Sequence, residues 1–176
     1  MVGWSQTVSQ SLGCGQNCQG NDRMTRAQCI VRREDKLLMA QHHDNGKTWW
    51  CLPGGSVEQG ETPADAALRE LREECCVVGV IIRETSRWMY LTEDAKDATF
   101  TFLVDIGDQT PSLGQDPEVA TGEQALALFD VQWLRLSEIP ERDRTFLWAA
   151  GLLGVAGFWA EVSDWGDSIS YPGPRE

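Results

Sequence analysis

Positive charge is scarce in this chain. Lys and Arg number 15 against 27 Asp and Glu, a formal net charge of −12, and the basic residues nowhere gather into a run. Nucleic-acid backbones are gripped by clustered Lys and Arg, so a surface for a nucleic-acid polymer is not expected. Histidine is rarer still, at two residues, and no Ser or Cys has an obvious histidine partner, which disfavours covalent catalysis. Long apolar runs are missing too. The longest, residues 146–159, is broken by Gly151, Gly154 and Gly157 and falls short of the roughly 20 residues a bilayer crossing needs, so no membrane partner is expected. The first residues show no basic segment leading into an apolar one, and the six cysteines are therefore expected as reduced thiols of a cytoplasmic protein.

What is present is 41% hydrophobic residues in 176, enough for one domain with its own core. The chain is organised around Gly54 to Val77, a glycine loop feeding an acidic helix. Thr62 suits the N-cap, Pro63 the first helical position, and Asp65 the first turn, where the helix dipole favours an anion. Ala64, Ala67, Leu68, Leu71 and Cys75 recur at helical spacing as an apolar stripe. Glu70, Glu73 and Glu74 fall on a second stripe, about a third of a turn away.

Carboxylates at i, i+3 and i+4 repel one another, although Arg69 and Arg72 offset part of that. Two readings follow from the residues alone: a solvated acidic face laced with ion pairs, or a set of oxygen ligands for a hard divalent cation. Pro53-Gly54-Gly55 and Gly60-Glu61 supply backbone freedom at both ends of a short turn, where a carbonyl can point at a metal or a phosphate can come close.

This combination resembles the signature of the Nudix hydrolases, Gly-x5-Glu-x7-Arg-Glu-U-x-Glu-Glu-x-Gly-U with U aliphatic. Gly55, Glu61, Arg69, Glu70, Leu71, Glu73, Glu74 and Val77 match, and Cys76 stands where the family has glycine. That departure sits at the helix C-terminus, where glycine takes a left-handed conformation, and Gly79 is expected to take over the turn.

Elsewhere the pattern turns to strand at Cys29 to Val31, crosses an Arg-Glu-Asp turn and continues over Lys36 to Ala40, a hairpin. His42 and His43 are expected on a polar loop, where contact with substrate phosphates is less expected than a merely polar role. Trp49 to Leu52 reads as a short strand before the loop, with one tryptophan either stacked on a base or packed in the core. Val77 to Ile82 reads as a buried strand, Arg87 to Leu91 and Ala98 to Val104 as two more, and Phe129 to Leu134 as the closing strand. Ser137 to Pro140 makes a turn and a helix is expected from Arg144 to about Trp159. The α/β fold that the resemblance implies is a mixed sheet sandwiched between helices, an α/β/α sandwich. Residues 1–23 are expected as a flexible arm, 24–160 as the domain and 161–176 as a tail. Cys14 and Cys18 begin no zinc site, lacking a second pair, and Met24 is a candidate for the natural start.

The resemblance further implies hydrolysis of a diphosphate linked to another moiety, by water, with Mg²⁺ or Mn²⁺. Glu70, Glu73, Glu74 and the Gly54 carbonyl would be the metal ligands. Arg69 would be an ion-pair strut and Glu61 would hold the loop, beside Gly55, against the helix. Glu118, with Glu123 second, is the expected distal acid in the long polar loop of residues 105–124, and Glu74, Glu70 and Glu118 are all open as the group that acts on the attacking water. The expected partner is a small-molecule nucleotide, a nucleoside di- or triphosphate with oxidised forms included, and a homodimer is left open. Nucleotide sugars and ADP-ribose are the alternative substrates, although Glu93 and its neighbours lack the proline or tyrosine seen beyond the box in some relatives and Tyr90 comes early. A catalytically silent nucleotide-binding module is the alternative outside enzymes.

Overall fold

The computed structural model describes residues 25–44, 46–91, 96–114 and 127–155. Strand β1 (Thr25–Arg33) is buried on both faces: Ala27, Cys29 and Val31 point one way and Ile30 the other. A turn at Glu34, in the left-handed region with φ 54°, sends the chain back as β2 (Lys36–Asp44). β3 (Lys47–Cys51), the short β4 (Gly54–Ser56), helix α1 (Pro63–Cys75), β5 (Val80–Leu91), β6 (Lys96–Asp105), β7 (Ala127–Arg135) and helix α2 (Glu141–Ala149) follow.

The strands join in the order β3-β2-β1-β6-β5, with β4 added to β1 and β7 to β2. β1 and β6 run parallel from Thr25↔Ala98 to Val31↔Val104, while the other pairs are antiparallel. A parallel pair needs a crossover, and the chain between β1 and β6 carries α1. Ala66, Ala67, Leu71 and Cys75 of α1 pack on Ala27, Cys29, Val31, Phe102 and Val104. On the opposite face Leu147 of α2, with Leu136, Ile139 and Leu152 from the short helical turns around it, covers Ile30, Leu37 and Met39. Leu71 and Leu147 are almost wholly buried, each a contribution of about 1.5–3 kcal/mol. The layering is the α/β/α sandwich expected from the sequence.

Four local expectations are corrected. Residues 77–82 are not a buried strand: Val77 is buried, but Val78, Val80 and Ile82 are 66%, 71% and 59% exposed. β5 is an edge strand, paired with β6 on one side only, which a run of apolar letters cannot reveal. The last helix begins at Glu141, behind Pro140, and ends at Ala149, before Gly151 at φ 81°. His42 and His43 lie on β2 instead of a loop, and His42 is buried. The turn after α1 is made by Cys76 itself, at φ 55° and ψ 32°, with its N–H on the Arg72 carbonyl. Gly79 serves close packing, since a Cβ there would overlap Val104 Cγ1. The arm and tail, the Cys14 and Cys18 pair, Glu118 and Glu123 lie outside the described residues.

Candidate active site

Helix α1 starts where its caps predict. The Thr62 hydroxyl accepts the Asp65 N–H at 3.2 Å and Pro63 opens the first turn. The helix then presents Glu70 and Glu74, one turn apart, at 7% and 2% exposure. A solvated acidic face is therefore not what the stripe forms.

Glu70 and Glu74 each lie against one loop glycine. Gly54 N–H donates to Glu74 Oε2 at 2.9 Å. Beside Gly55 the Glu70 carboxylate fills the space a Cβ would need. Close backbone approach, which glycine alone permits, is thus used here on the protein's own acids. Gly54 is itself hemmed in, for a Cβ there would overlap the Ala27 carbonyl and Gln28 Cα.

Arg69 ties the loop to the helix. Its Nη1 donates to Glu70 Oε1 and Glu73 Oε2, both at 2.9 Å, its Nε and Nη2 reach the two Glu61 oxygens, and Nη2 also meets the Ser56 carbonyl at 2.8 Å. Partial burial opposes the cation, yet Glu61, Glu70 and Glu73 outweigh it and hold the guanidinium pKa above its usual range. Arg69 in turn holds the Glu61 carboxyl below the usual carboxylate range. Arg69 and Glu61 thus meet across the join between loop and helix.

Glu70, Glu74, Gly54 and Gly55 form one wall of a cavity of about 650 Å³. Arg26 of β1 lines it too, donating to the Gly54 carbonyl at 2.5 Å, and Gln28 donates to Thr101 Oγ1 at 3.0 Å beside it. Trp49, Trp50, Trp88 and Phe146 supply aromatic surface, and buried Asp143 accepts the Trp50 N–H at 2.9 Å. Cys51 also lines the cavity, but burial pushes its thiol up to about 12, so a thiolate nucleophile is not available near neutral pH.

The donor chemistry fits a hard divalent cation: two buried carboxylates, one helical turn apart, on the wall of the cavity. The arrangement brings Glu70 and Glu74 together at the wall, while the Glu73 carboxylate is turned to Arg69 and the Gly54 carbonyl to Arg26. Among the described residues no three His, Cys, Asp or Glu side chains already converge as a metal cage. The segment expected to carry the distal acid leaves from the helix end, where Ser112 N–H caps the Cys75 carbonyl at 3.0 Å and Gly114 N–H the Glu74 carbonyl at 2.8 Å.

Sequence reasoning missed Arg26, Gln28, Thr101, Trp88 and Asp143. They come from β1, β6, β5 and α2, so no local spacing links them. The one available signal was a polar residue at an inward position of an otherwise apolar strand, as with Gln28 between Ala27 and Cys29.

A model of the NUDIX domain matches residues 22–151. The Nudix hydrolase YvcI of Bacillus subtilis is 32% identical over 84 residues, 48% of this chain and 44% of that protein. An RNA pyrophosphohydrolase of Roseobacter denitrificans is 36% identical over 63 residues, 34% and 39% of the two chains. The match thus spans less than half the length of these curated relatives. A MutT NUDIX hydrolase from Burkholderia pseudomallei shares the fold, with a TM-score of 0.56 at 16% identity over 73% of this chain and 98% of that one. With the NUDIX domain matched over residues 22–151, most of this chain, the chain belongs to the Nudix hydrolase family.

Proposed function

We propose that the protein hydrolyses the phosphoanhydride of a small-molecule nucleotide, with Mg²⁺ or Mn²⁺, and that a nucleoside di- or triphosphate is the substrate. The observation that carries the reading is the pairing of Glu70 and Glu74, buried on one wall, with aromatic surface on the others. Arg69 meets Glu70 at one oxygen, and a cation at the wall would further offset the cost of keeping both carboxylates out of water. Glu70 and Glu74, with Glu73 and the Gly54 carbonyl, would hold the ion. When bound, it screens the diphosphate charge and lowers the pKa of water.

The chain's own residues divide the remaining work. Trp49, Trp50, Trp88 and Phe146 offer flat faces for a base, and a cavity of about 650 Å³ suits a mononucleotide better than a long polymer. Arg26 can meet a phosphate oxygen if it leaves the Gly54 carbonyl. Glu74, Glu70 and Glu118 are the candidates for taking the proton of the attacking water, and Glu118 and Glu123 the candidates for the distal acid. The described cysteines are free and no described helix is long and apolar enough to cross a membrane, which supports a cytoplasmic site of action.

The relative named for RNA pyrophosphohydrolysis raises a second reading, a 5′-triphosphorylated RNA end. The net charge of −12 weighs against it. A panel of nucleoside di- and triphosphates, oxidised forms, nucleotide sugars, ADP-ribose and a 5′-triphosphorylated oligonucleotide, assayed for phosphate and pyrophosphate release, separates these readings. A nucleoside di- or triphosphate turned over faster than the rest supports the proposal, and preference for the oligonucleotide overturns the substrate assignment.

A further inference from the structure

One buried polar side chain at the cavity has no part in the reading above. His42, on β2, is 6% exposed, whereas His43 beside it is exposed. The register between β2 and β7 shifts at Gln41/His42, with Gln41 opposite Asp130 and His42 opposite Leu128, so that Phe129 is the extra residue of a bulge. Bulges of this kind re-aim side chains next to functional sites.

Two neighbours fix the imidazole. Trp49 stands directly opposite on β3, and its ring stacks on the His42 ring at 6.2 Å between centroids and 18° between planes. His42 Nε2 lies 3.5 Å from Glu74 Oε1, with both side chains buried. The other Glu74 oxygen is the one that accepts the Gly54 N–H. The carboxylate is therefore addressed at both oxygens from two different elements, β2 and β4, while its own backbone belongs to α1. An ionised carboxylate only accepts, so a proton on the ring nitrogen facing it would make the contact attractive. In surroundings this dry such a contact is stronger than in water.

We propose that His42 is a positioning residue: it holds Glu74 Oε1 in register with the Gly54 N–H contact, so that the remaining lone pairs of Glu74 face the cavity. The inference rests on the reading of Glu74 as a working carboxylate of the site. It requires no change in the charge of the imidazole. Partners of this kind, one step removed from the reacting groups, are worth about 10–100-fold in activity.

The test uses the full chain with ¹⁵N-labelled histidine, in which two imidazoles give signals. The His42 signal is identified by its loss in His42→Gln. Glu74→Gln is expected to displace the His42 ring nitrogens well beyond their linewidth and leave His43 in place, and Glu73→Gln to displace neither. Unmoved ring signals in Glu74→Gln would overturn the inference without touching the functional reading. Kinetics supply the second arm. His42→Phe keeps a ring against Trp49 but has no donor, and is expected to lower kcat about tenfold with KM changed less than about twofold; His42→Gln, which restores an N–H, recovers most of the loss. In a Glu74→Gln background His42→Phe adds nothing further. Wild-type kcat in a folded His42→Phe, with Glu74→Gln inactive, overturns the positioning role alone. Full activity in Glu74→Gln overturns the reading of Glu74 and the role of His42 with it, whether or not the ring signals move.

Discussion

The Arg69 guanidinium grips the Glu61 carboxylate with two nitrogens, Nε on Oε1 at 3.0 Å and Nη2 on Oε2 at 3.2 Å, across the join between loop and helix. This two-pronged pair is the mechanical link between the glycine loop and the acidic stripe. Arg69→Met removes the cation from three carboxylates together and is expected to lower stability by about 2–3 kcal/mol, read as the urea midpoint at pH 7. Glu61 titrates below the usual carboxylate range when folded, so its share of the stability is present above the unfolded carboxylate pKa and is lost as pH falls through the folded value. The gap between wild type and Arg69→Met is therefore full at neutral pH and narrows below about pH 4.

Adjacent glycines should fail in opposite ways. At Gly55 a methyl group meets the movable Glu70 carboxylate, so Gly55→Ala is expected to keep the fold and lower kcat/KM at least about tenfold by displacing Glu70. At Gly54 it meets the backbone of Ala27 and Gln28, and Gly54→Ala is expected to cost about 2–4 kcal/mol of stability. Thermal melts and turnover of both variants check the contrast; a Gly54→Ala that melts with wild type would refute it.

Charge removal in the stripe should abolish the proposed hydrolysis without unfolding the protein. Glu73→Gln and Glu74→Gln are each expected to lower turnover on a diphosphate more than about a hundredfold at saturating Mg²⁺, with an unchanged circular dichroism spectrum. Near-normal rates in both would remove the mechanism.

Cys76 occupies the left-handed cap of α1 at φ 55°, a conformation that costs a side-chain-bearing residue about 1–2 kcal/mol. Cys76→Gly relieves that strain and loses little, since the side chain is exposed and its Sγ lies 3.9 Å from the Leu113 carbonyl. Set against the greater freedom of glycine in the unfolded chain, a gain of about 0.5–1 kcal/mol in denaturant unfolding is expected. A loss of stability would show that the contact to Leu113 outweighs the strain.

How far the sequence reaches depends on whether neighbours in space are neighbours along the chain. Thr62, Pro63 and the spacing of Glu70, Glu73 and Glu74 specify helix α1 and its two stripes because caps and periodicity are local. The contact of Arg69 with Glu73 was legible for the same reason, the two lying one helical turn apart. Burial was not. That Glu70 and Glu74 face a cavity depends on β1 and β2 closing over them, and the exposure of Val80 and Ile82 depends on β5 falling at a sheet edge. His42 was misplaced because two adjacent histidines look like loop, and part of the pairing that makes them strand comes from Leu128 and Ala127 of β7, some 86 residues beyond His42 in the case of Leu128. The left-handed Cys76 was foreseeable as a position but not as the residue that would tolerate it, since the helix ends where its carbonyls are capped by Ser112 and Gly114.

The central claim is that buried acids and a divalent cation together open a phosphoanhydride. Its most direct test is pyrophosphate and phosphate release from nucleoside di- and triphosphates by the wild-type protein, with Mg²⁺ or Mn²⁺ and again in excess EDTA. Turnover that appears with the ion and disappears with the chelator is the predicted result. A folded protein that cleaves none of the substrates, or cleaves them equally well in EDTA, contradicts it.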